Sequence, residues 1–420
     1  MQRDFRLFWL GQTGSVFGSL FTTTATGLVA VRFLRATPAQ TGLLVAAASV
    51  VPLLAGLPVG ALADRLSRPR RALIGCDLIG MTAVGLLACG LWFHWATIWW
   101  LIALNAVLGG LTLVVETVYF IHLRSIVAED SLAASRARLQ STEYGAGALG
   151  RALAGPLVAL SGGAAAFLID AVSYLVSAAC LSRLRAPDTR RADGGGTARS
   201  SGGLLAGVGL VAGDSFLRPL MTYLAWQGLA AGATSALTAQ FLIRVLALPT
   251  DFYGVPFVLT GVCGLAGSLT AARIVRRGVA VRFMATGGFV ASTISAALLP
   301  FARGPVAVAV ILAGCGIALP VFFGAIANIG LTSALTTQVP ERVLGRALAS
   351  VQSLLTLVQV AGAVGGGVLA GRIGIHPALW LATFVSIGGL GLAVPLVRAG
   401  RKAPEADAAP QARTRLEAGT

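Results

Sequence analysis

Residues 36–71 read ATPAQTGLLVAAASVVPLLAGLPVGALADRLSRPRR. From Ala36 to Ala63 there is no charge, and the run then breaks into Asp64, Arg65, Arg68, Arg70 and Arg71. A helix that crosses roughly 30 Å of hydrocarbon needs about 20 predominantly apolar residues. This stretch is long enough to span a bilayer, and the basic cluster marks where the chain leaves it.

The same pattern repeats outward in both directions. Leu7–Val31, Pro219–Ile243, Phe252–Ala272, Phe283–Ala302, Ala347–Gly371 and Ile373–Val397 also carry no formal charge. Longer stretches read as helix pairs joined by tight turns: Leu78–Val115 around His94, and Ser141–Ser182 around Gly162 and Gly163. Over all 420 residues, 56% are hydrophobic and 11% charged. Soluble domains carry about 25% charged residues, so this surface does not mostly face water. Arg3 and Arg6 precede an apolar run too long for the core of a signal peptide, which is about 7–15 residues; it reads as the first membrane helix.

These runs predict an all-α integral membrane protein with twelve transmembrane helices near 7–31, 38–63, 72–93, 97–121, 141–161, 164–183, 219–243, 252–273, 282–302, 305–333, 345–371 and 376–397. An even number puts both termini on one side, and the charges test that layout. Of the 32 basic residues, 26 fall on the side of the termini, 5 (Arg32, Arg35, Arg244, Arg303 and Arg372) on the other, and Arg151 within a helix. Cytoplasmic loops carry the excess of arginine and lysine, so both termini are expected in the cytoplasm. The net charge of +16 therefore records topology. Nucleic acid is not an expected partner, because the arginines lie in short gaps between apolar runs and not on one soluble face.

The gap from Arg183 to Arg218 contains Pro187, Gly194–Gly196 and several serines and arginines. This composition suits a flexible linker, so residues 1–185 and 219–400 are expected to form two pseudo-symmetric six-helix bundles. Residues 186–218 would link them on the cytoplasmic side, with Leu204–Arg218 as a candidate surface helix, and 401–420 would form a disordered tail. A faint repeat supports the duplication. Gly60-Ala-Leu-Ala-Asp-Arg-Leu-Ser-Arg-Pro-Arg-Arg71 follows the second helix, and Gly267-Ser-Leu-Thr-Ala-Ala-Arg-Ile-Val-Arg-Arg277 follows the eighth. Six-plus-six repeats are a transporter arrangement.

At these residues the chain resembles the major facilitator superfamily, whose motif between helices two and three is matched by Gly60, Asp64, Arg65, Arg68, Arg70 and Arg71. The resemblance runs from Phe5 to about Gly400. Phe5–Gln12, Phe167–Ser177 and Gln338–Arg346 are similar to the drug:proton antiporter branch that includes macrolide and enterobactin exporters. The resemblance implies a conformational latch in which Asp64 meets the start of helix eleven near Gly345 and Arg346 when the cytoplasmic side is closed. A carboxylate at a helix N-terminus is favoured by the helix dipole. The second copy departs from the motif, because Ala271 stands where Asp64 would be.

Ionisable groups in hydrocarbon cost at least about 2.5–3.5 kcal/mol on insertion scales, which makes each a functional candidate. Glu116, Glu143, Arg151 and Asp170 are the candidates for coupling. Asp170 and Arg151 lie on neighbouring helices about a turn apart in depth, so an ion pair is one expectation. Asp77, close to the basic loop, is expected to pair with Arg70 or Arg71. Trp92, Trp95, Trp99 and Trp100 around His94 read as an interfacial belt, whereas Trp226 and Gln227 are candidates for lining a central cavity. The glycines around Arg151, with Pro156, suit close helix packing, although Arg151 interrupts the antiporter branch's spacing. The five cysteines are scattered singly, and no metal-ligand cluster, catalytic triad or phosphate loop is present; neither a metal nor another cofactor is expected.

The resulting expectation is a non-enzymatic secondary transporter, acting as a monomer in a bacterial cytoplasmic membrane. It would export lipophilic or amphipathic small molecules of the drug or antibiotic type by alternating access, with protons as the coupling ion. The rival on the same fold is a dedicated exporter or importer of one metabolite or siderophore. A sensor or membrane enzyme is the more distant alternative.

Overall fold

The computed structural model describes residues 2–65, 68–126, 142, 145–147, 149–160, 163–184, 217–338 and 341–393. The linker 186–216, Glu143 and the tail 401–420 lie outside them. Among the described residues the chain is all helical. Its first six helices are α1 (Gln2–Arg32), α2 (Pro38–Arg65), α3 (Pro69–Trp92), α4 (Ile98–Ile126), α5 (Gly145–Leu160) and α6 (Ala164–Ser182). The remaining six are α7 (Leu217–Gln240), α8 (Val255–Arg276), α9 (Val281–Ala296), α10 (Val306–Gln338), α11 (Glu341–Ile373) and α12 (Ile375–Gly388). Ten of the spans are long and apolar enough to cross a membrane. Of the other two, α5 is shorter as described, and α7 is more polar, with Thr222, Gln227, Thr234, Ser235, Thr238 and Gln240 along it.

Local chemistry sets the turns. Thr37 and Gln40 form a reciprocal capping box at the start of α2: the Thr37 N–H donates to Gln40 Oε1 at 2.8 Å, and the Gln40 N–H to Thr37 Oγ1 at 3.3 Å. Pro38 and Pro69 stand at first helical positions, where the missing N–H costs nothing. After α3, the N–H groups of Trp95 and Ala96 both donate to Gly90 O at 3.0 Å, and His94 takes a positive φ of 60°. The turns that follow α1, α7, α9 and α11 meet on one face of the molecule, the hairpin face, where Arg244 reaches the Ala36 carbonyl, Phe241 stacks on His376 and Arg303 bonds the His376 ring. The other face is the termini face.

The packing is inverted relative to a water-soluble protein. Leu54, Leu160, Trp92 and Phe93 are among many large apolar side chains that are exposed, while alanine dominates the buried positions. Lipid is as apolar as leucine, so helices gain little by burying bulk and associate through close contact of small residues. Accordingly α6 packs between α1 and α3, α4 against α2 and α3, α7 against α11 and α12, and α10 between α8 and α9. At the α2–α4 crossing, a Cβ on Gly109 would run into the Ala48 carbonyl, and one on Gly110 would lie 2.8 Å from Val51 Cγ1. At the α7–α11 crossing, Gly232 meets the Gln359 carbonyl and Gly362 meets that of Leu229.

Trp92, Trp95, Trp99 and Trp100 are all exposed at the hairpin face, as an interfacial belt requires. Replacing Gly109 with valine should force α2 and α4 apart. Overpacking of this kind costs about 1–3 kcal/mol, and it should appear as a lower unfolding midpoint of the detergent-solubilised protein, with Gly324→Val (no neighbouring atom within 4 Å of a Cβ) as the matched control.

Candidate functional site

Three polar assemblies lie within the apolar helices. The first bridges the two sets of helices, α1–α6 and α7–α12. Near the hairpin face, Gln240 Nε2 and Arg244 Nη2 both donate to the Ala36 carbonyl, at 2.9 and 2.8 Å. Gly42 of α2 faces the Ala363 carbonyl of α11, and Gly367 faces Pro38, Ala39 and Gly42 in return. On the opposite flank, Gly155 of α5 lies under the Thr250 and Asp251 carbonyls, and Gly254 against the carbonyl of Arg151. The Arg151 side chain crosses the same boundary and donates through Nη1 to Thr260 Oγ1 of α8 at 3.2 Å. The bridge works because residues 241–245 widen into a π turn, which carries Arg244 over to the start of α2.

Glu116 lies two turns beyond Gly109 on the same stripe of α4 and is exposed.

The second assembly is inside the first set, between α1, α3 and α6. Asp170 is fully buried (0% exposed) and Asp77 nearly so (6%). Ser173 Oγ donates to Asp170 Oδ1 at 3.1 Å. A Cβ on Gly18 of α1 would collide with Ser173 and come within 2.5 Å of Asp170 Oδ1; only glycine lets the carboxyl lie against that helix. Tyr174 lies flat on Gly80 of α3, with ring carbons 3.0–3.2 Å from where a Cβ would be, and its hydroxyl is 3.4 Å from Ser19 Oγ of α1.

The third assembly occupies the matching place in the second set, between α7, α9 and α12. Gln227 Nε2 donates to Thr293 Oγ1 at 2.8 Å and to the Ser386 carbonyl at 3.1 Å, while Ser386 Oγ donates to Gln227 Oε1 at 2.6 Å. Tyr223 shares a 2.6 Å bond with Thr293. The Trp226 indole donates to the Val385 carbonyl at 2.6 Å and stays partly exposed.

The expected pairs do not form. Arg151 reaches α8 while Asp170 faces α1, so the two are turned to different neighbours despite their similar depth. Asp77 does not meet its basic loop either: Arg70 Nη1 donates to the Leu184 carbonyl at 2.7 Å, closing the end of α6, and Arg71 is exposed. Both mismatches come from helix rotation, which the count along the chain does not reveal. Trp226 and Gln227 are tied to α12 and α9. Of the latch, Gly60, Asp64 and Arg65 enter as α2 backbone and Gly345 and Arg346 as α11 backbone; their side chains lie outside the described residues, and Arg68 is exposed. Ser173, Tyr174 and Ser177 were not singled out from the sequence, although their spacing from Asp170 (three, four and seven residues) places all four on one helix face. Among the described residues no group of histidine, cysteine and carboxylate side chains could hold a metal ion.

Comparison with known proteins agrees with the fold. The structure is similar to that of the nucleoside transporter NupG (TM-score 0.69, 14% identity, 95% of this chain and 99% of that one). It is similar to a bacterial homologue of the iron transporter ferroportin in its inward-facing state (TM-score 0.69, 16% identity, 95% and 98%). It also matches a bacterial homologue of the human lysosomal transporter Spinster (TM-score 0.65, 14% identity, 94% and 95%). No curated protein matches the sequence significantly. A family profile described as transmembrane secretion effector matches residues 1–417, and the chain belongs to that family of major facilitator membrane transporters.

Proposed function

We propose that this transporter exports lipophilic or amphipathic small molecules by alternating access, driven by a proton gradient. The observation that carries the reading is the match of residues 1–417 to a family described as transmembrane secretion effector. The secretion description of the family supports the outward direction, and the mostly alanine, leucine, valine and phenylalanine helices suit an apolar cargo.

Arg151 fits the role of a gate strut in this cycle. Its side chain crosses between the two sets, and its bond to Thr260 must break before the hairpin side opens. The Asp64 latch would act at the opposite face and in the opposite phase, engaging α11 near Gly345 and Arg346 once the cytoplasmic side closes. Two alternating contacts of this kind bias a two-state equilibrium without touching cargo.

Three outcomes follow from this reading. In a pump-deficient bacterial host, expression should lower accumulation of ethidium and of a macrolide panel, and a protonophore should restore it; accumulation unaffected by expression would remove multidrug export and favour a dedicated metabolite. Asp64→Asn should abolish that export with the protein still in the membrane. Arg151→Gln removes a hydrogen bond to a charged group, worth about 1.5–3 kcal/mol, so the hairpin-open population should rise about tenfold or more, read as longer distances between spin labels at Phe33→Cys and Asp251→Cys.

A further inference from the structure

We propose that the α1–α3–α6 junction is a proton-binding site of the first helix set, in which Asp77 of α3 and Asp170 of α6 stand at the two ends of one face of α6 that carries Ser177, Tyr174 and Ser173. Its role in coupling rests on the transport reading above; the existence of the site does not.

The geometry carries the proposal. Residues 170, 173, 174 and 177 are one stripe of α6, about 10 Å long at 1.5 Å per residue, and the stripe faces α1 and α3. At one end, Asp170 accepts from Ser173 and lies next to Thr22 of α1; at the other, Asp77 lies next to Ser177. Tyr174 stands between, with Asp170, Asp77 and Cys76 all within electrostatic reach of its phenol. Neither Thr22 nor Ser177 reaches bonding geometry, so Asp170 Oδ2, Asp77 Oδ2, Thr22 Oγ1 and Ser177 Oγ are buried without partners. Thr22, Asp170 and Ser177 are only 0–2% exposed.

The charges facing the site from each packed helix do not compensate it. From α1 come Thr22, Ser19 and Gly18, with Arg6 and Arg32 near its ends. From α3 come Asp77 and Cys76, with Arg70 committed to Leu184 and Arg71 exposed. From α6 itself come Tyr174 and Cys180, with Arg183 exposed beyond the helix end. Both carboxyls are buried, and neither Oδ2 has a hydrogen-bond partner. An ionised carboxylate in such a medium is costly, and one added proton removes one of the two charges.

The second helix set supplies the contrast. Its matching α7–α9–α12 junction holds the helices together with neutral groups only, and Gln227, Thr293, Ser386 and Tyr223 satisfy one another there. Packing alone does not require carboxyls at this junction. The first set has exchanged a saturated neutral lock for two acids with open valences, which is what binding and releasing a proton requires.

Infrared spectroscopy of the full-length protein in lipid, titrated with pH in the absence of any cargo, reads the site directly. The wild type should show protonated-carboxyl absorption that titrates, and both Asp77→Asn and Asp170→Asn should remove part of it. Each variant should remove the absorption of the acid it replaces and leave that of the other. Absorption unchanged in both variants, or no protonated carboxyl at all, would overturn the proposal. Ser177→Ala and Tyr174→Phe, which keep both acids, should shift the midpoints, and Ser177→Thr should restore them. In proteoliposomes, Asp77→Asn should still quench tryptophan fluorescence on adding ethidium but lose ethidium movement driven by a pH gradient. Titration without any ethidium movement in the wild type would leave the proton site standing and remove the export reading.

Discussion

Close approach of one helix backbone to another governs this molecule, because lipid rewards little else. Where Gly42 faces Ala363, or Gly109 faces Ala48, the contact is between a glycine and a neighbour's carbonyl, which brings aligned main chains into dispersion contact. Such contacts are short-ranged and depend on helix rotation. They fix which side of each helix faces inward, and every polar side chain is positioned as a consequence. Gly18 and Gly80 show this within the first set: both clear room for α6, and the stripe of Asp170, Ser173, Tyr174 and Ser177 falls into that room.

The same constraint explains why the polar groups gather at helix junctions. An exposed hydroxyl can bond its own helix, as Thr112 does to the Leu108 carbonyl, so only the larger polar networks need the places where helices meet. The second set resolves this with a closed network of amide and hydroxyl groups. The first set resolves it incompletely, and the bridge between the sets spends Arg151, Gln240 and Arg244 on partners across the boundary. The two junctions therefore differ: the second is closed by neutral groups, while the first leaves a carboxyl oxygen of Asp77 and of Asp170 without a partner.

Much of the fold was legible along the chain. The twelve helices lie close to the positions that uncharged runs suggest, and the capping box at Thr37 and Gln40 was there to be read in a Thr-Pro-Ala-Gln stretch. Several ends differ by a few residues: α1 starts at Gln2, and α11 extends from Glu341 to Ile373, because a helix runs past the hydrocarbon edge when its polar residues can still reach water. The candidate sites were less legible. Asp170 was identified as costly, but its company was not, since depth can be counted from a turn while rotation cannot.

What the sequence determined by itself is the solvent and the succession of helices. Uncharged runs of about 20 residues are selected by hydrocarbon thickness, and the charged gaps between them mark where helices end; both are local properties. What only the tertiary structure decided is which polar groups meet: Arg151 with Thr260 instead of Asp170, and Asp77 beside Ser177 instead of Arg70 or Arg71. Those encounters depend on how each helix is turned about its own axis, and that is set by small residues on neighbouring helices far away in the chain.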